Sequence, residues 1–230
     1  MNLYSKSFDK LDVDLRKVER INRLVITNAY IYRYLDLIIK KYWVGTQYAI
    51  TDEVFELLSA IKNKHLMELY EIFTLLSDND YEQKHNDYLK GKNSFVMDGY
   101  TAKFYQTDDI NPLLENSSYL LTNIEELKEL VEIISHKHII MEDTKIENAI
   151  IQRQGIVLID PDFYHVSTKS VEEIRNKNYR ELFCLLRNIF EDYGEDLQYF
   201  MHLRGDNALE KINAMESELK RVRRPIDLRR

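Results

Sequence analysis

The sequence predicts an α+β protein with a strand-rich N-terminal part, residues 1–105, and a mainly helical C-terminal part, residues 106–230. Short runs of β-branched and aromatic residues recur in the first part. In the second part, apolar residues recur every three or four positions. A short apolar hairpin interrupts that helical pattern. These three observations define the fold class.

The composition excludes several classes of protein. The chain has 230 residues, 44% of them hydrophobic and 31% charged, with a formal net charge of −7. That acidic balance argues against a nucleic-acid-binding coat, which needs clustered positive charge. No apolar run approaches the roughly 20 residues of a membrane span, and the first residues lack a secretion signal, so a cytoplasmic protein is expected. The single cysteine, Cys184, excludes an internal disulfide and is expected to be a buried core thiol.

The first elements are expected to be a helix followed by an antiparallel meander. Apolar residues at helical spacing predict the helix; they are Phe8, Leu11, Leu15 and Val18. Three short runs rich in β-branched and aromatic residues, 24–26, 30–34 and 37–43, predict the strands of the meander.

A second helix and further strands complete the N-terminal part. Thr51 and Asp52 form a typical helix start, and apolar residues follow on one helical face. Strand-like runs occupy 66–73, 95–97 and 100–105. The polar stretch 77–93 between them is expected to be a mobile excursion.

The C-terminal part is predicted to be helix, hairpin and helix. Apolar residues form one stripe over 119–134. Two apolar strands, 149–151 and 156–159, are joined by a turn with Gly155 where a positive φ is needed. Helical periodicity resumes at Ser170 and continues towards the C-terminus.

Polar residues flank this hairpin at both of its open ends. Asp143 and Asn148 precede the first strand, and Asp160 follows the second. A two-stranded ribbon brings these three side chains to the same end. Two carboxylates and an amide there can hold a divalent cation through oxygen ligands, as phosphoryl transfer requires.

The spacing of Asp143, Lys145 and Asn148 resembles the Asp-x-Lys-x-x-Asn catalytic loop of the protein-kinase-like family. Asp160, twelve residues after Asn148, is similar to the metal-binding Asp of that family. The resemblance implies a bilobal protein-kinase-like fold, with a reduced strand-rich N-lobe and a truncated, mainly helical C-lobe. It also implies that Asp143 orients the acceptor hydroxyl, that Lys145 stabilises the transferred charge, and that Asn148 and Asp160 hold Mg²⁺.

The resemblance extends to the N-terminal part. The run ending in Lys40 looks like the family's Val-Ala-Ile-Lys strand, whose lysine binds the phosphates of ATP. Lys41 is the alternative, since strand alternation points only one of the two inward. Glu53 is the expected ion-pair partner of the lysine, with Glu56 as a second contender.

Residues 97–105 resemble the last N-lobe strand and the hinge of the family. The resemblance implies that the backbone of Ala102 and Phe104 binds the adenine of ATP. ATP and Mg²⁺ are therefore the expected cofactors.

The sequence also departs from the family pattern. No glycine lies between Ile21 and Gly45, where a phosphate-binding loop would supply several. Met141 and Glu142 replace the His-Arg pair before the catalytic Asp. Asp160 is followed by Pro161 and Asp162 instead of Phe-Gly, and Asp162 is either a second metal ligand or a turn cap. The segment that grips peptide substrates is short.

Three functional interpretations follow. The first is a kinase-like phosphotransferase that moves the ATP γ-phosphate to a hydroxyl acceptor, a protein Ser or Thr by resemblance. The second is a pseudokinase that acts as a binding or regulatory module without turnover. The third is a purely helical interaction protein, which leaves the acids at the hairpin without a role.

Overall fold

The structure is a computed structural model of an α+β protein. It describes residues 1–21, 29–44, 46, 48–92, 95–106, 117–152, 155–193 and 207–221. The chain divides into two compact units, one made of residues 1–55 and 68–105, the other of residues 56–67 and 106–230. The last division, after residue 105, falls where the composition of the sequence changes.

The strands within the described residues are β1 (Asn2–Tyr4), β2 (Glu19–Arg20), β3 (Ala29–Tyr34), β4 (Leu37–Tyr42), β5 (Leu69–Leu76), β6 (Gly99–Lys103), β7 (Ile139–Ile140), β8 (Ala149–Gln152), β9 (Gly155–Leu158) and β10 (His165–Val166). The helices of the same residues are α1 (Asp52–Ser59), α2 (Asp78–Leu89), α3 (Ser117–His136), α4 (Val171–Tyr193) and α5 (Ala208–Arg221).

An antiparallel sheet forms the body of the first unit. Its strand order is β1-β5-β6-β4-β3-β2. Lys40 of β4 lies opposite Tyr100 of β6, so both side chains point to the same face. The Phe55 ring of α1 lies 6.2 Å from that of Tyr100, which places α1 on this face. Ile39 and Lys41 therefore point to the other face.

The two later strands of the expected meander are present as β3 and β4, and residues 24–26 lie outside the described residues. The helix expected over residues 8–18 is wrong. The chain there contains an isolated antiparallel bridge from Lys10 to Tyr4 and a 3₁₀ turn at Leu15–Lys17, and Phe8 has a left-handed φ of 64°. Leu11 and Val18 pack against one apolar cluster, around Ile39, whereas Phe8 belongs to another with Tyr4.

The mobile excursion expected at 77–93 is also wrong, because α2 occupies most of it. Ser77 caps this helix by accepting a hydrogen bond from the Asp80 N–H at 3.2 Å. Tyr81 stacks on Tyr4 with ring centroids 4.5 Å apart, and Tyr88 lies 5.1 Å from Phe8. An aromatic face thus fixes a helix whose composition is mostly polar.

The second unit contains α3, α4 and α5 and the hairpin of β8 and β9. The hairpin has the predicted strands, and Gly155 at its turn has a φ of +142°. Residues 65–67 pair with β9: Leu66 forms a parallel bridge with Leu158, whose N–H donates to the His65 carbonyl at 2.8 Å. The strand expected at 66–73 accordingly begins later, at Leu69, and runs to Leu76.

Two other predictions from the sequence are wrong. Cys184 is exposed, not a buried core thiol, because it lies two residues beyond Leu182 and points away from the apolar stripe of α4. The run at 95–97 is irregular and not a strand. No helix in the described part of the chain combines the length and the hydropathy that a membrane span requires.

Candidate functional site

The loop before β8 brings Asp143, Lys145 and Asn148 together. The Asn148 Nδ2 atom donates to the Asp143 carboxylate at 3.0 Å and to the Asp143 carbonyl at 2.7 Å. The Lys145 ammonium lies 3.1 Å from the other oxygen of that carboxylate. Asp143 itself has a left-handed φ of 58°. The carboxylate is therefore held on both oxygens at the surface of a tight turn.

The same loop is joined to the end of the hairpin. The Ile159 N–H donates to the Asn148 carbonyl at 2.9 Å, which continues the pairing of β8 with β9. Asp160 is the next residue, half-buried and left-handed, with φ 59° and ψ 64°. Pro161 and Asp162, both buried, then form a 3₁₀ turn with Phe163. The hairpin thus places Asp160 one residue beyond the partner of Asn148.

A buried amide on α4 supports the strand that leads into the loop. Asn178 is fully buried, and its Oδ1 accepts the Met141 N–H at 2.8 Å. Its Nδ2 donates to the Ser135 hydroxyl at 3.0 Å and to the Ile139 carbonyl at 2.9 Å. All the hydrogen-bonding capacity of this side chain except one lone pair is used. The backbone two residues before Asp143 is therefore fixed from α4.

A carboxylate on the same helix lies beneath the loop. Glu181 accepts the Thr144 N–H at 3.2 Å. Burial raises the pKa of Glu181 above its usual range, and the negative charges of Glu142 and Asp143 raise it further. Burial likewise raises the pKa of the neighbouring Tyr164 hydroxyl. Burial at the floor of the loop thus disfavours negative charge on these two groups.

Glu142, at the position where protein kinases have an arginine, contacts a lysine and a histidine. It forms an ion pair with Lys177 of α4 and lies 3.8 Å from the imidazole of His165. These contacts attach the loop to α4 and to β10.

Lys40 lies on β4 of the first unit and only 3% of it is exposed. Its ammonium is 5.9 Å from the ring centroids of both Tyr42 and Tyr100. These distances are within the range of a cation–π interaction. Of the two candidate lysines, Lys40 is therefore the one on the face of α1, and Lys41 is half-buried on the other face.

The structure does not bring Glu53 to Lys40. Glu53 is exposed at the start of α1, and its carboxylate forms no ion pair with any described residue. Its negative charge in the first turn of the helix interacts favourably with the helix dipole. Glu56 is also exposed and belongs to the second unit.

The expected hinge residues lie at the end of β6. Ala102 is fully buried and pairs with Ile38 on one side and Leu69 on the other. The Phe104 N–H donates to the Asp36 carbonyl at 2.8 Å, and the Arg33 guanidinium lies 4.0 Å from the centroid of its ring. The Phe104 N–H already has a partner within the first unit.

The donor set at the hairpin fits a hard cation. No group of three His, Cys, Asp or Glu side chains that could hold a metal occurs among the described residues. The predicted ligands are an amide and a carboxylate. Because its Nδ2 is fixed by Asp143, the Oδ1 of Asn148 points elsewhere and accepts no hydrogen bond from the residues described. Amide and carboxylate oxygens are the ligands that Mg²⁺ prefers, usually alongside phosphate and water.

Sequence reasoning did not predict the supporting residues on α4. Asn178 and Glu181 fall on the buried side of the helix, beside Ile174, Leu182 and Leu185. Polar residues that interrupt an apolar stripe are the signal that could have identified them, because a buried polar group needs a partner. The chain matches no model of a known protein family and no curated protein.

Proposed function

We propose that this protein is a kinase-like phosphotransferase that moves the γ-phosphate of ATP to a hydroxyl acceptor, a protein Ser or Thr. The observation that carries the proposal is the closed loop at Asp143. Its carboxylate is held by the Lys145 ammonium on one oxygen and by the Asn148 amide on the other. Each oxygen keeps a lone pair, so the carboxylate can accept the proton of an acceptor hydroxyl from a fixed position.

The other residues have matching roles in this proposal. Lys145 stabilises the charge of the transferred group from beside Asp143. Asn148 and Asp160 are the oxygen donors for Mg²⁺, which neutralises phosphate charge when bound. Because the Asn148 amide nitrogen is bound to Asp143, one side chain links the base to the metal ligands.

The first unit supports the proposal through the order of its elements. A strand that carries a buried lysine, β4, is followed by α1 and then by two further strands, β5 and β6. Protein kinases likewise carry their phosphate-binding lysine on a strand that precedes a helix. In this proposal Lys40 binds the phosphates of ATP.

A pseudokinase is the second candidate, and a specific observation favours it. Active protein kinases need the ion pair between the strand lysine and a helix glutamate. Glu53, the expected partner, forms no ion pair with any described residue, and no glycine lies between Ile21 and Gly45 to bring backbone N–H groups close to phosphate. Under this candidate the fold binds nucleotide or a protein partner without turnover.

Calorimetric titration of ATP, with and without Mg²⁺, tests the nucleotide site. We expect binding that needs Mg²⁺ and that weakens at least tenfold in Asp160→Asn. The control is Asp12→Asn, an exposed carboxylate without a side-chain partner among the described residues. Absence of binding at millimolar ATP contradicts the phosphotransferase.

Transfer of radiolabelled γ-phosphate to a mixture of protein acceptors separates the two candidates. In Asp143→Asn we expect a loss of about 10²-fold or more, as for removal of a general base. Glu147→Gln is the matched control, because Glu147 is an exposed carboxylate in the same loop. Nucleotide binding without any transfer by the wild-type protein supports the pseudokinase.

A further inference from the structure

A cavity of about 300 Å³ lies in the first unit, on the sheet face opposite Lys40. Its walls are apolar and come from the N-terminal segment and from the sheet. They include Leu3, Val18, Ile39, Phe73 and Leu75. The cavity lies apart from every residue of the proposed phosphotransferase site, so the inference below is independent of that function.

On the sheet face that lines the cavity, β6 presents no side chain at Gly99. Gly99 lies opposite Lys41 of β4 and opposite Phe73 of β5. A Cβ atom at Gly99 would come within 2.8 Å of the Phe73 ring and would collide with the Lys40 carbonyl. The Phe73 ring therefore lies over the glycine.

Two polar groups line the otherwise apolar cavity, and both lack partners in the described part of the chain. Lys41 is half-buried and forms no ion pair or hydrogen bond with a described side chain. A half-buried lysine lays its methylene stem on apolar surface and keeps its ammonium in water, at the mouth. Tyr32 also lines the cavity, and its hydroxyl has no hydrogen-bond partner among the same residues.

We propose that this cavity binds a single-chain alkyl carboxylate. The alkyl chain occupies the apolar interior, and the carboxylate contacts the Lys41 ammonium and the Tyr32 hydroxyl. Ligand pockets span about 300–1,000 Å³, so this cavity is at the small end and suits one chain, not a two-chain lipid. An anionic head is selected because Lys41, the charged side chain that lines the cavity, is a cation.

Titration with dodecanoate below its critical micelle concentration tests the proposal. We expect saturable one-to-one binding, and at least tenfold weaker binding of dodecanol, which has the same chain without the charge. Lys41→Met should weaken dodecanoate binding at least fivefold and leave dodecanol binding unchanged. Lys90→Met is the matched control, since Lys90 is exposed at the end of α2.

A second variant fills the cavity. Val18→Trp adds a large side chain to the wall contributed by the N-terminal segment, and it should weaken binding of both ligands at least tenfold. Methyl NMR of the wild-type protein makes the test independent of how this variant folds. We expect dodecanoate to shift the methyl resonances of Leu3, Ile39 and Leu75. Equal binding of both ligands, an unchanged affinity in Lys41→Met, or unshifted methyl resonances at these residues would each overturn the proposal.

Discussion

At the scale of single residues, Asn178 links three parts of the chain near the candidate site. Its amide contacts the end of α3, the strand β7 and the N–H of Met141. In Asn178→Ala these buried groups lose their partner, and each unsatisfied group costs about 1–3 kcal/mol. We therefore expect the free energy of unfolding to fall by about 3 kcal/mol or more, measured by urea denaturation.

The matched control is Asn176→Ala. Asn176 is exposed on the same helix and has no side-chain hydrogen bond in the described structure. Its free energy of unfolding should stay within about 0.5 kcal/mol of the wild type. Equal losses in the two variants would contradict the role assigned to Asn178.

Glu181 predicts a pH dependence of stability. Burial first, and then the charges of Glu142 and Asp143, raise its pKa in the folded state above the ordinary 4.5. Between that value and the raised pKa, the folded state binds the proton more readily than the unfolded chain. The stability contributed by Glu181 is therefore full below pH 4.5 and is lost as the pH rises through the raised pKa.

Glu181→Gln removes this titration but keeps an oxygen to accept the Thr144 N–H. We expect the variant to gain free energy of unfolding relative to the wild type as the pH rises above 4.5, in urea denaturation at successive pH values. Glu172→Gln, an exposed residue of the same helix, is the control. A difference between Glu181→Gln and the wild type that stays constant with pH would refute this account.

The sequence carried enough information to predict the local loop. Asp143, Lys145 and Asn148 lie within six consecutive residues, so short-range geometry alone brings their side chains together. The supports Asn178 and Glu181 act across a sequence separation of about 35 to 40 residues. Nothing in the local pattern specifies which buried polar group meets which backbone atom.

At the scale of elements, Gly155 determines whether the hairpin can close. Its φ of +142° is unfavourable for other residues, and an added Cβ would collide with the Asn123 side chain and lie 3.2 Å from the His65 ring. We expect Gly155→Ala to lower the free energy of unfolding by clearly more than about 1 kcal/mol, the typical limit of a simple Gly/Ala backbone effect. Thermal and urea denaturation measure the loss.

Gly91→Ala is a control for the backbone conformation alone. Gly91 also has a positive φ, +71°, but no atom lies within 4 Å of the position of its Cβ. The difference between the two variants isolates the steric effect at the hairpin. Similar losses at both glycines would mean that the contacts with Asn123 and His65 are unimportant.

Helical periodicity failed at two elements for opposite reasons. The apolar residues between Phe8 and Val18 have helical spacing, yet they serve two separate clusters, so no single helical face could satisfy both. In α2 the face that packs against the rest of the unit is aromatic, and its side chains, such as Tyr81 and His85, are only partly buried. Periodic patterns predict an element only where one continuous face meets one core.

At the scale of the whole molecule, the second unit is built from two separate stretches of chain. Residues 56–67 belong to it although the sequence places them between segments of the first unit. Within this stretch, the Met67 N–H donates to the Leu158 carbonyl at 2.9 Å, and His65 Nδ1 contacts the Ile156 carbonyl at 2.7 Å. The hairpin edge at β9 is therefore completed by residues 65–67.

This organisation predicts how fragments behave. Residues 106–230 alone should lack a folded hairpin, whereas residues 56–67 joined to them by a long Gly-Ser linker should restore it. Dispersion of amide resonances in a ¹H–¹⁵N NMR spectrum measures the outcome. The control is the same fusion with His65→Ala, which removes the contacts to Ile156 and to Glu126 and should restore less structure. Equal spectra with and without residues 56–67 would contradict the prediction.

The composition of the sequence indicated the boundary near residue 106. It did not indicate that residues 56–67 belong to the second unit. They begin in the middle of α1, whose first residues belong to the first unit, and no turn signal or composition shift marks that point. Their assignment depends on pairing with β9, which is about 90 residues away in the sequence. Pairing over such distances is a property of the folded chain.

The left-handed backbone at Asp143 and Asp160 affects which substitutions would be tolerated at these two positions during evolution. Residues other than glycine are strained in that conformation, at a cost of about 1 kcal/mol or more each. Glycine at either position would relieve this strain but would also remove a carboxylate. If the descendants of this sequence keep both aspartates, the carboxylates contribute more to fitness than relief of the backbone strain would.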